Sequence, residues 1–299
     1  MNKPSNLSAT RGNRAGIGFF RLLIKFSGVK CAFAFAYIVT FFYAVFDKKA
    51  FEAAKWYLAL RFKSDAGKPF RLRCRFHKLI WELAKMMIVA AASAGNKKFS
   101  IVEKGCVPAD DGKQRVIVFA HYGCWQAAMP MLGKPGRSAC IMAAPDMNQA
   151  IDKFLALEQG AKSFRVISVT GFSGGLIEAA AALENGESVV IMGDRAVDGT
   201  PSVEVPFLGG KITLPLSPWM LGARCNCEVI PLFADYNEAD RTVVLDYRAP
   251  LTLPDAGNRR VKNSDLIPAA EKYAAILAEK ALCHPYRVFR FSNEAEREL

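Results

Sequence analysis

The chain has 299 residues, of which 52% are hydrophobic, and this is enough apolar material for one large buried core. No Ser-, Gly- or Pro-rich linker interrupts it, which argues against independent domains. The net charge of +12 is uneven, because residues 1–78 carry 16 Lys and Arg against three acids, a net of +13, and the remainder carries −1. This skew predicts an anionic partner for the N-terminal region. The eight cysteines are scattered, and even Cys225 and Cys227 are spaced too closely for the usual zinc pattern, so we expect reduced thiols.

An apolar run lies inside this basic region. Residues 31–46 are uncharged and rich in aromatic side chains, unlike a helix that reads a nucleic-acid groove, so we expect no nucleic-acid partner. A membrane explains both features, since its anionic head groups attract Lys and Arg at ~1 kcal/mol each while the apolar run enters the acyl region. The run is shorter than the roughly 20 residues that cross a bilayer core. We therefore predict a helix embedded in the cytoplasmic leaflet, with a buried core helix as the alternative.

A second apolar run ends at a histidine. Residues 116–120 have the continuous apolar character of a parallel strand covered on both faces, and His121 and Gly123 follow it directly. The carboxyl ends of strands in an α/β sheet converge on one crevice, where such proteins place their chemistry. A histidine has an unperturbed pKa of roughly 6.5 and can take a proton from a hydroxyl or amine. We predict that His121 is a general base, with a satisfied structural histidine as the alternative.

The rest of the chain alternates between strand and helix patterns, which predicts an α/β fold with a mixed central sheet flanked by helices. Strands are predicted at residues 139–143, 164–170, 188–193, 227–236 and 242–247, and helices at residues 125–132, 154–158, 174–185 and 268–283. We divide the chain into a basic, membrane-associated helical extension packed on the core, residues 1–78, and an α/β domain, residues 79–299.

Four segments arrive in an order that resembles a known family: His121 with Gln126 five residues later, the strand ending in Asp194 and Arg195, the Pro-Phe-Leu-Gly-Gly loop, and the strand around Pro231. They are similar to the lysophospholipid acyltransferase superfamily, particularly its lipid A biosynthesis lauroyl/myristoyl acyltransferase branch. The resemblance implies a glycerolipid acyltransferase-like fold that moves a fatty acyl chain from acyl carrier protein or CoA to a hydroxyl or amine of a membrane lipid or glycolipid. It implies no metal and no cofactor, and a place on the cytoplasmic face of the inner membrane, peripheral or anchored by a single helix.

One position departs from the family pattern. Most members have a carboxylate five residues after the histidine, whereas Gln126 can orient the imidazole but carries no charge. A comparable carboxylate-to-amide change in a catalytic triad costs several powers of ten in rate. Asp194 is the obvious substitute because it also follows a strand, although it could equally form a surface ion pair with Arg195. Arg195, if not committed to that pair, suits bidentate binding of phosphate.

The remaining candidates are assigned to substrate binding: Gly123, Trp125, Pro206, Phe207, Gly209, Gly210 and Lys211. The glycine pair would let backbone N–H groups approach a ligand, and the family order favours this over an ordinary hairpin turn. The thiol of Cys124 could accept an acyl group, but the resemblance implies direct transfer. Two rival functions stay open: a thioesterase that uses water, and a catalytically inactive lipid-binding or scaffold protein, which Gln126 favours.

Overall fold

A computed structural model describes residues 14–93, 99–132, 138–143, 164–169, 174–196, 200–254 and 261–291. Within these ranges the helices are α1 (Arg14–Phe46), α2 (Lys48–Arg61), α3 (Pro69–Ser93), α4 (Trp125–Leu132), α5 (Leu176–Glu184), α6 (Ser217–Arg224) and α7 (Ile267–Cys283). The strands are β1 (Ser100–Gly105), β2 (Arg115–Gly123), β3 (Ala139–Ala143), β4 (Phe164–Ser168), β5 (Ser188–Met192), β6 (Ser202–Phe207), β7 (Gly210–Pro215), β8 (Glu228–Asn237) and β9 (Thr242–Tyr247).

Seven of these strands form one mixed sheet in the order β1-β9-β8-β2-β5-β3-β4. The strands β8, β2, β5, β3 and β4 are mutually parallel, whereas β9 is antiparallel to β8 and carries β1 beside it. The strands β6 and β7 form a separate antiparallel hairpin. The predicted α/β class with a mixed central sheet is therefore confirmed.

Most predicted elements match within one or two residues, including α4, β3 and β9, whose bounds agree. The predicted helix at residues 154–158 lies outside the described residues. Strand β1 and the β6–β7 hairpin were not predicted. β1 lies at the edge of the sheet, where its side chains are exposed or half-buried, and Val102 is 48% exposed. Its apolar and polar residues alternate too weakly to mark a strand.

The central strand β2 owes its apolar sequence to burial on both faces. Val116, Val118 and Phe119 are fully covered, and Ile117 is nearly so. The same hydrophobic cluster continues into the helical region through Tyr57 and the other buried residues Phe51, Leu58, Leu72, Phe76 and Leu79. The predicted domain boundary at residue 78 falls inside α3, so this part of the helical region shares one core with the sheet.

Helix α1 is broken at Gly28, whose φ of 80° and ψ of 172° are not helical. In a straight helix, Phe35 stands 16 residue steps beyond Phe19, which would separate the two by about 24 Å. Their ring centroids lie 4.9 Å apart, and Phe20 also reaches the Phe35 ring at 5.8 Å. The segment before Gly28 therefore folds back along the segment after it, and α1 is a helical hairpin. Gly28 was not predicted to break the apolar segment.

The arm of α1 after Gly28 packs antiparallel along α3. The indole of Trp81 donates a hydrogen bond to the Phe33 carbonyl at 3.2 Å, and Arg73 donates to the Ala44 carbonyl at 2.6 Å. The outer side of this arm is exposed. By length and composition alone residues Leu22–Phe46 could cross a membrane, but the reversal at Gly28 divides them into two shorter arms. Only 22% of their most apolar window is buried. This low share argues against the alternative of a buried core helix.

Candidate active site

His121 and Asp194 meet at the carboxyl edge of the sheet. His121 lies near the end of β2, and Asp194 follows the neighbouring β5. The Gly193 amide donates to the Phe119 carbonyl at 2.8 Å, which extends the ladder between the two strands and brings Asp194 beside His121. Nδ1 of the imidazole lies 2.9 Å from Oδ1 of Asp194, and the His121 amide donates to Oδ2 at 3.0 Å. Because Nδ1 is held in this way, Nε2 is the nitrogen that can exchange a proton with a substrate.

Burial and neighbouring charges shift the pKa values of His121 and Asp194. The Asp194 side chain is 1% exposed and that of His121 is 17% exposed. Burial lowers the pKa of His121 below its usual 6.5; Arg195 and Arg290 lower it further, and Asp194 opposes them. Burial alone would raise the pKa of Asp194, but His121 and Arg195 hold it well below its usual range. At neutral pH the pair therefore consists of a neutral imidazole and a carboxylate, which is the state a general base requires.

The alternative of a surface ion pair between Asp194 and Arg195 does not fit the burial of Asp194. Both carboxylate oxygens face His121 instead. The Arg195 guanidinium donates to the Phe289 carbonyl at 2.6 Å and stands 5.9 Å from the Phe291 ring centroid. Although it does not pair with Asp194 at the surface, the positive charge of Arg195 lowers the pKa values of both His121 and Asp194.

The orienting role predicted for Gln126 is corrected by this geometry, because the described hydrogen bonds of the imidazole go to Asp194. Gln126 lies in the first turn of α4. Its Oε1 is buried and has no hydrogen-bond partner among the described residues. The acid next to the histidine comes from the neighbouring strand, not from the helix that follows the histidine.

Gly123 and Trp125 both lie beside the histidine. Gly123 has a φ of 56°, and a Cβ there would stand 2.0 Å from the Ala234 carbonyl oxygen, where β2 shifts register against β8. The backbone thus requires glycine at this position. Trp125 is 7% exposed, and its ring meets the imidazole edge-on with the centroids 5.7 Å apart. The indole therefore forms one wall around the base.

A C-terminal segment, residues 287–290, contacts the site and was not predicted from the sequence. The Phe289 amide donates to the His121 carbonyl at 2.7 Å, and the Gly123 amide donates to the Arg287 carbonyl at 2.8 Å. Arg287 in turn pairs with Asp235 at the end of β8 and with Glu82 of α3. The segment therefore fixes the backbone of the histidine and offers the carbonyl that Arg195 binds. Its contacts join residues far apart in sequence, so no local pattern marks it.

Arg290 was also missed. It is 1% exposed, donates to the Thr213 carbonyl at 3.1 Å, and belongs to the charges that lower the pKa of His121. The sequence signal that could have identified it is its place between Phe289 and Phe291, because an arginine inside an apolar segment is a candidate for burial and buried arginines are rare unless paired.

The predicted binding loop is a tight two-residue hairpin. Leu208 and Gly209 form the turn with φ values of 52° and 82°, and Phe207 pairs with Gly210. Lys211 pairs with Glu204 at 3.2 Å, Pro206 is exposed and Phe207 is buried. The turn rests on the helical region, because Cβ atoms built on Gly209 and Gly210 would meet Lys63 and Leu60. The described contacts of these glycines lie against that region and not against His121.

Cys124 has the properties of a structural thiol. It is fully buried, its Sγ points to the Asp235 carbonyl at 3.3 Å, and burial raises its pKa to about 12. We expect Cys124→Ala to keep acyl transfer within about threefold of the wild type, because a thiol with this pKa supplies almost no thiolate at neutral pH. Initial rates with an acyl thioester, together with intact-protein mass after quenching, check this. A covalent acyl adduct that the substitution removes would contradict it.

A buried His–Asp pair at the carboxyl edge of a mixed sheet defines an α/β protein whose site suits general-base catalysis. The chain belongs to the bacterial lipid A biosynthesis acyltransferase family, whose profile matches residues 15–291. It is therefore an acyltransferase that acts on lipids, as the sequence segments predicted. Among solved structures it is similar to the 1-acyl-sn-glycerophosphate (LPA) acyltransferase PlsC from Thermotoga maritima, with 14% identity, a TM-score of 0.33, and coverage of 82% of this chain and 95% of that chain. The comparison with curated proteins gives no match.

Proposed function

We propose that the chain transfers a fatty acyl group from an acyl thioester of acyl carrier protein or CoA to a hydroxyl or amine of a membrane lipid or glycolipid. The observation that carries this proposal is the 2.9 Å contact between Nδ1 of His121 and the buried Asp194. It keeps the proton of the neutral imidazole on Nδ1, so that Nε2 presents its lone pair. The rival prediction of an inactive protein was based on the missing charge at Gln126. The contact between His121 and Asp194 supports an active enzyme, because it puts a carboxylate next to the base.

The reaction needs one base and no other proton carrier. Nε2 of His121 removes the proton of the acceptor hydroxyl or amine as the oxygen or nitrogen attacks the thioester carbonyl. Asp194 stabilises the imidazolium that forms. The tetrahedral intermediate then collapses, the C–S bond breaks, and the leaving thiolate takes the proton from Nε2. Arg195 is the cation for the developing oxyanion or for a phosphate of the substrate.

Lipid mass spectrometry tests the proposal. We expect cells that express the wild type to contain a lipid that is heavier by one acyl group and that is missing from cells with empty vector or with His121→Ala. Immunoblotting of membranes confirms equal expression, and the mass of the product identifies acceptor and chain length. If the wild type and the variant give identical lipid profiles, the proposal fails and the inactive scaffold replaces it.

The thioesterase alternative is separated by omitting the acceptor. With purified protein and an acyl thioester, we expect the release of free fatty acid to be slow until membrane lipid is added. A rate of hydrolysis without lipid that equals the total turnover with lipid would favour the thioesterase.

We further propose that the α1 hairpin lies in the cytoplasmic leaflet of the inner membrane and does not cross it. The arm after Gly28 has 18 residues, about 27 Å of helix, slightly less than a bilayer core. It also lies along α3, so that crossing would take the charged Arg73 and Lys85 into the hydrocarbon region. The exposed side of the hairpin is aromatic, with Phe26 and Phe46 78% and 74% exposed.

The exposed face of the hairpin predicts its membrane affinity. We expect the double substitution Ile38→Asp, Phe42→Asp to lower co-sedimentation with anionic phospholipid vesicles at least tenfold, because both side chains are 55% exposed and would place charge in the acyl region. The control is Ile177→Asp, since Ile177 is 73% exposed on α5, away from the hairpin. Equal losses in the two proteins would contradict the assignment of this face to the membrane.

A further inference from the structure

Four largely buried charges connect helix α3 with the end of strand β8. Lys85 on α3 pairs with Glu82 at 2.7 Å, and Glu82 pairs with Arg287 of the C-terminal segment at 3.4 Å. Arg287 then pairs with Asp235 near the end of β8. The four side chains are 6% to 19% exposed. Attraction between charges removed from water offsets the cost of their burial only in a well-defined geometry. These alternating charges therefore fix the position of the Arg287 side chain.

The backbone of Arg287 is bonded to the strand that carries His121. The Gly123 amide donates to the Arg287 carbonyl at 2.8 Å, and the Phe289 amide donates to the His121 carbonyl at 2.7 Å. These two hydrogen bonds enclose an antiparallel bridge at Tyr122. Because the guanidinium and the carbonyl of Arg287 belong to one residue, the charged contacts of its side chain also locate the end of β2.

The guanidinium of Arg287 contacts groups next to the base and not the base itself. Besides its two carboxylates, it donates to a backbone carbonyl of β8 at 3.0 Å. The hydroxyl of Tyr122, the residue after His121, donates to the Asp235 carboxylate at 2.7 Å. One carboxylate thus binds both Arg287 and the residue that follows the base. The described hydrogen bonds of the guanidinium include none to the imidazole, so Arg287 acts on the base through the backbone.

The other end of this chain of charges lies against the α1 hairpin. The Lys85 ammonium is 4.7 Å from the centroid of the Trp81 ring and 5.6 Å from that of Phe33 in α1. The indole of Trp81 also donates to the Phe33 carbonyl at 3.2 Å. Continuous contacts therefore join the hairpin to His121 by way of α3 and the C-terminal segment.

We propose that Arg287 is a positioning residue, which holds Nε2 of His121 in place for proton transfer by linking its backbone to α3. This inference rests on the proposed function. Asp194 fixes the direction of the imidazole through Nδ1, whereas the bridge at Tyr122 fixes the backbone from which the ring projects. Proton removal requires Nε2 to lie within hydrogen-bond reach of the acceptor hydroxyl or amine. In the proposed membrane placement, the link also keeps the base at a constant height above the leaflet that supplies the acceptor.

Arg287→Met tests this role in steady-state assays with an acyl thioester and a membrane lipid extract of the bacterial expression host. We expect kcat to fall on the order of 10²-fold, which is the effect of a displacement of about 1 Å between reacting groups. KM for the thioester should stay within about twofold, because the side chain positions the base and does not bind the thioester. Rates are measured below the melting temperature of each variant, determined by circular dichroism. A merely structural role would lower the melting temperature and leave kcat of the folded protein unchanged.

Two milder variants keep the test decisive if Arg287→Met does not fold. Arg287→Lys keeps the charge but cannot reach all the partners of the guanidinium at once, so we expect a loss of kcat of roughly tenfold. Glu82→Gln weakens the pair with α3 and leaves the pair with Asp235. Combined with Arg287→Met, it should cause no further loss of kcat, because both changes break one link. Losses that multiply would overturn the link to α3.

Two controls separate this role from general effects and from the proposed function. Arg248→Met also removes an arginine that pairs with two acids, Asp246 and Glu279, and kcat should stay within about twofold of the wild type. His121→Ala reports on the proposed function itself. If folded Arg287→Met or Arg287→Lys keeps the kcat of Arg248→Met while His121→Ala abolishes lipid acylation, the role of Arg287 is overturned and the proposed function stands. If His121→Ala leaves lipid acylation intact, the proposed function fails.

Discussion

Asp194→Asn should lower kcat for acyl transfer by a factor of about 10³ to 10⁴, the size of the effect for the corresponding change in a Ser-His-Asp triad. The asparagine amide would donate to Nδ1 of His121 and place the imidazole proton on Nε2, so the lone pair would face the wrong way. The variant also loses the charge that stabilises the imidazolium. Initial rates with acyl thioester and membrane lipid, measured across pH, check this prediction.

The pH profile distinguishes the electrostatic role from a loss of folding. In the wild type, the midpoint of the acidic limb of kcat/KM should lie below pH 6.5, because the environment of His121 lowers its pKa and the protonated form is inactive. Asp194 opposes that lowering, so Asp194→Asn should move the acidic limb to still lower pH while the plateau falls. The control is Asp246→Asn on β9, a buried carboxylate that pairs with Lys280 and Arg248 and not with the imidazole. A loss of less than tenfold in Asp194→Asn would show that Asp194 is not the acid partner.

Gly123→Ala should destabilise the protein by about 3 kcal/mol or more, since the change combines two costs. The φ of 56° at this position is unfavourable for any residue with a Cβ, by roughly 1–2 kcal/mol. The new Cβ would also stand 2.0 Å from the Ala234 carbonyl oxygen, and overpacking of this kind typically costs a further ~1–3 kcal/mol. Urea denaturation followed by circular dichroism measures the free energy of unfolding. Activity should fall as well, because His121 and the register shift of β2 share this turn.

Gly112→Ala is the matched control. Gly112 has a φ of 71°, but no atom lies within 4 Å of a Cβ built there. This variant therefore has the backbone cost alone, and we expect a loss of about 1 kcal/mol with full activity. Equal destabilisation by the two variants would mean that the close approach to Ala234 is relieved by a small movement of β8.

The predictions that succeeded from sequence rest on local patterns. The apolar run before His121 and the one before Asp194 each identified a buried strand, and the convergence of parallel strand ends placed the two side chains in one region. The strand at residues 242–247 and the helix at residues 125–132 were also predicted with correct bounds. A local apolar pattern is therefore sufficient to predict a strand or helix that is buried in the sheet or against it.

The failures concern contacts between distant segments. Nothing near His121 shows that Phe289 holds its carbonyl, or that the Arg195 guanidinium binds the same residue. Gly28 is a single glycine in an apolar run, and only the contact of Phe19 with Phe35 reveals that the chain reverses there. Gln126 was given the orienting role because it holds the expected place in sequence. The choice between Gln126 and Asp194 depends on which side chain reaches Nδ1, and this is a property of sheet order.

The origin of the acid on a different strand has a consequence for the recognition of related enzymes. A search that requires a carboxylate five positions after the histidine would discard this chain, although His121 and Asp194, 73 residues apart, are in contact. On the proposed mechanism, in which Asp194 is the acid partner, a glutamine at that position does not by itself mark an inactive enzyme. The pair should be sought as a histidine near the end of one strand and an aspartate two residues past the end of its hydrogen-bonded neighbour.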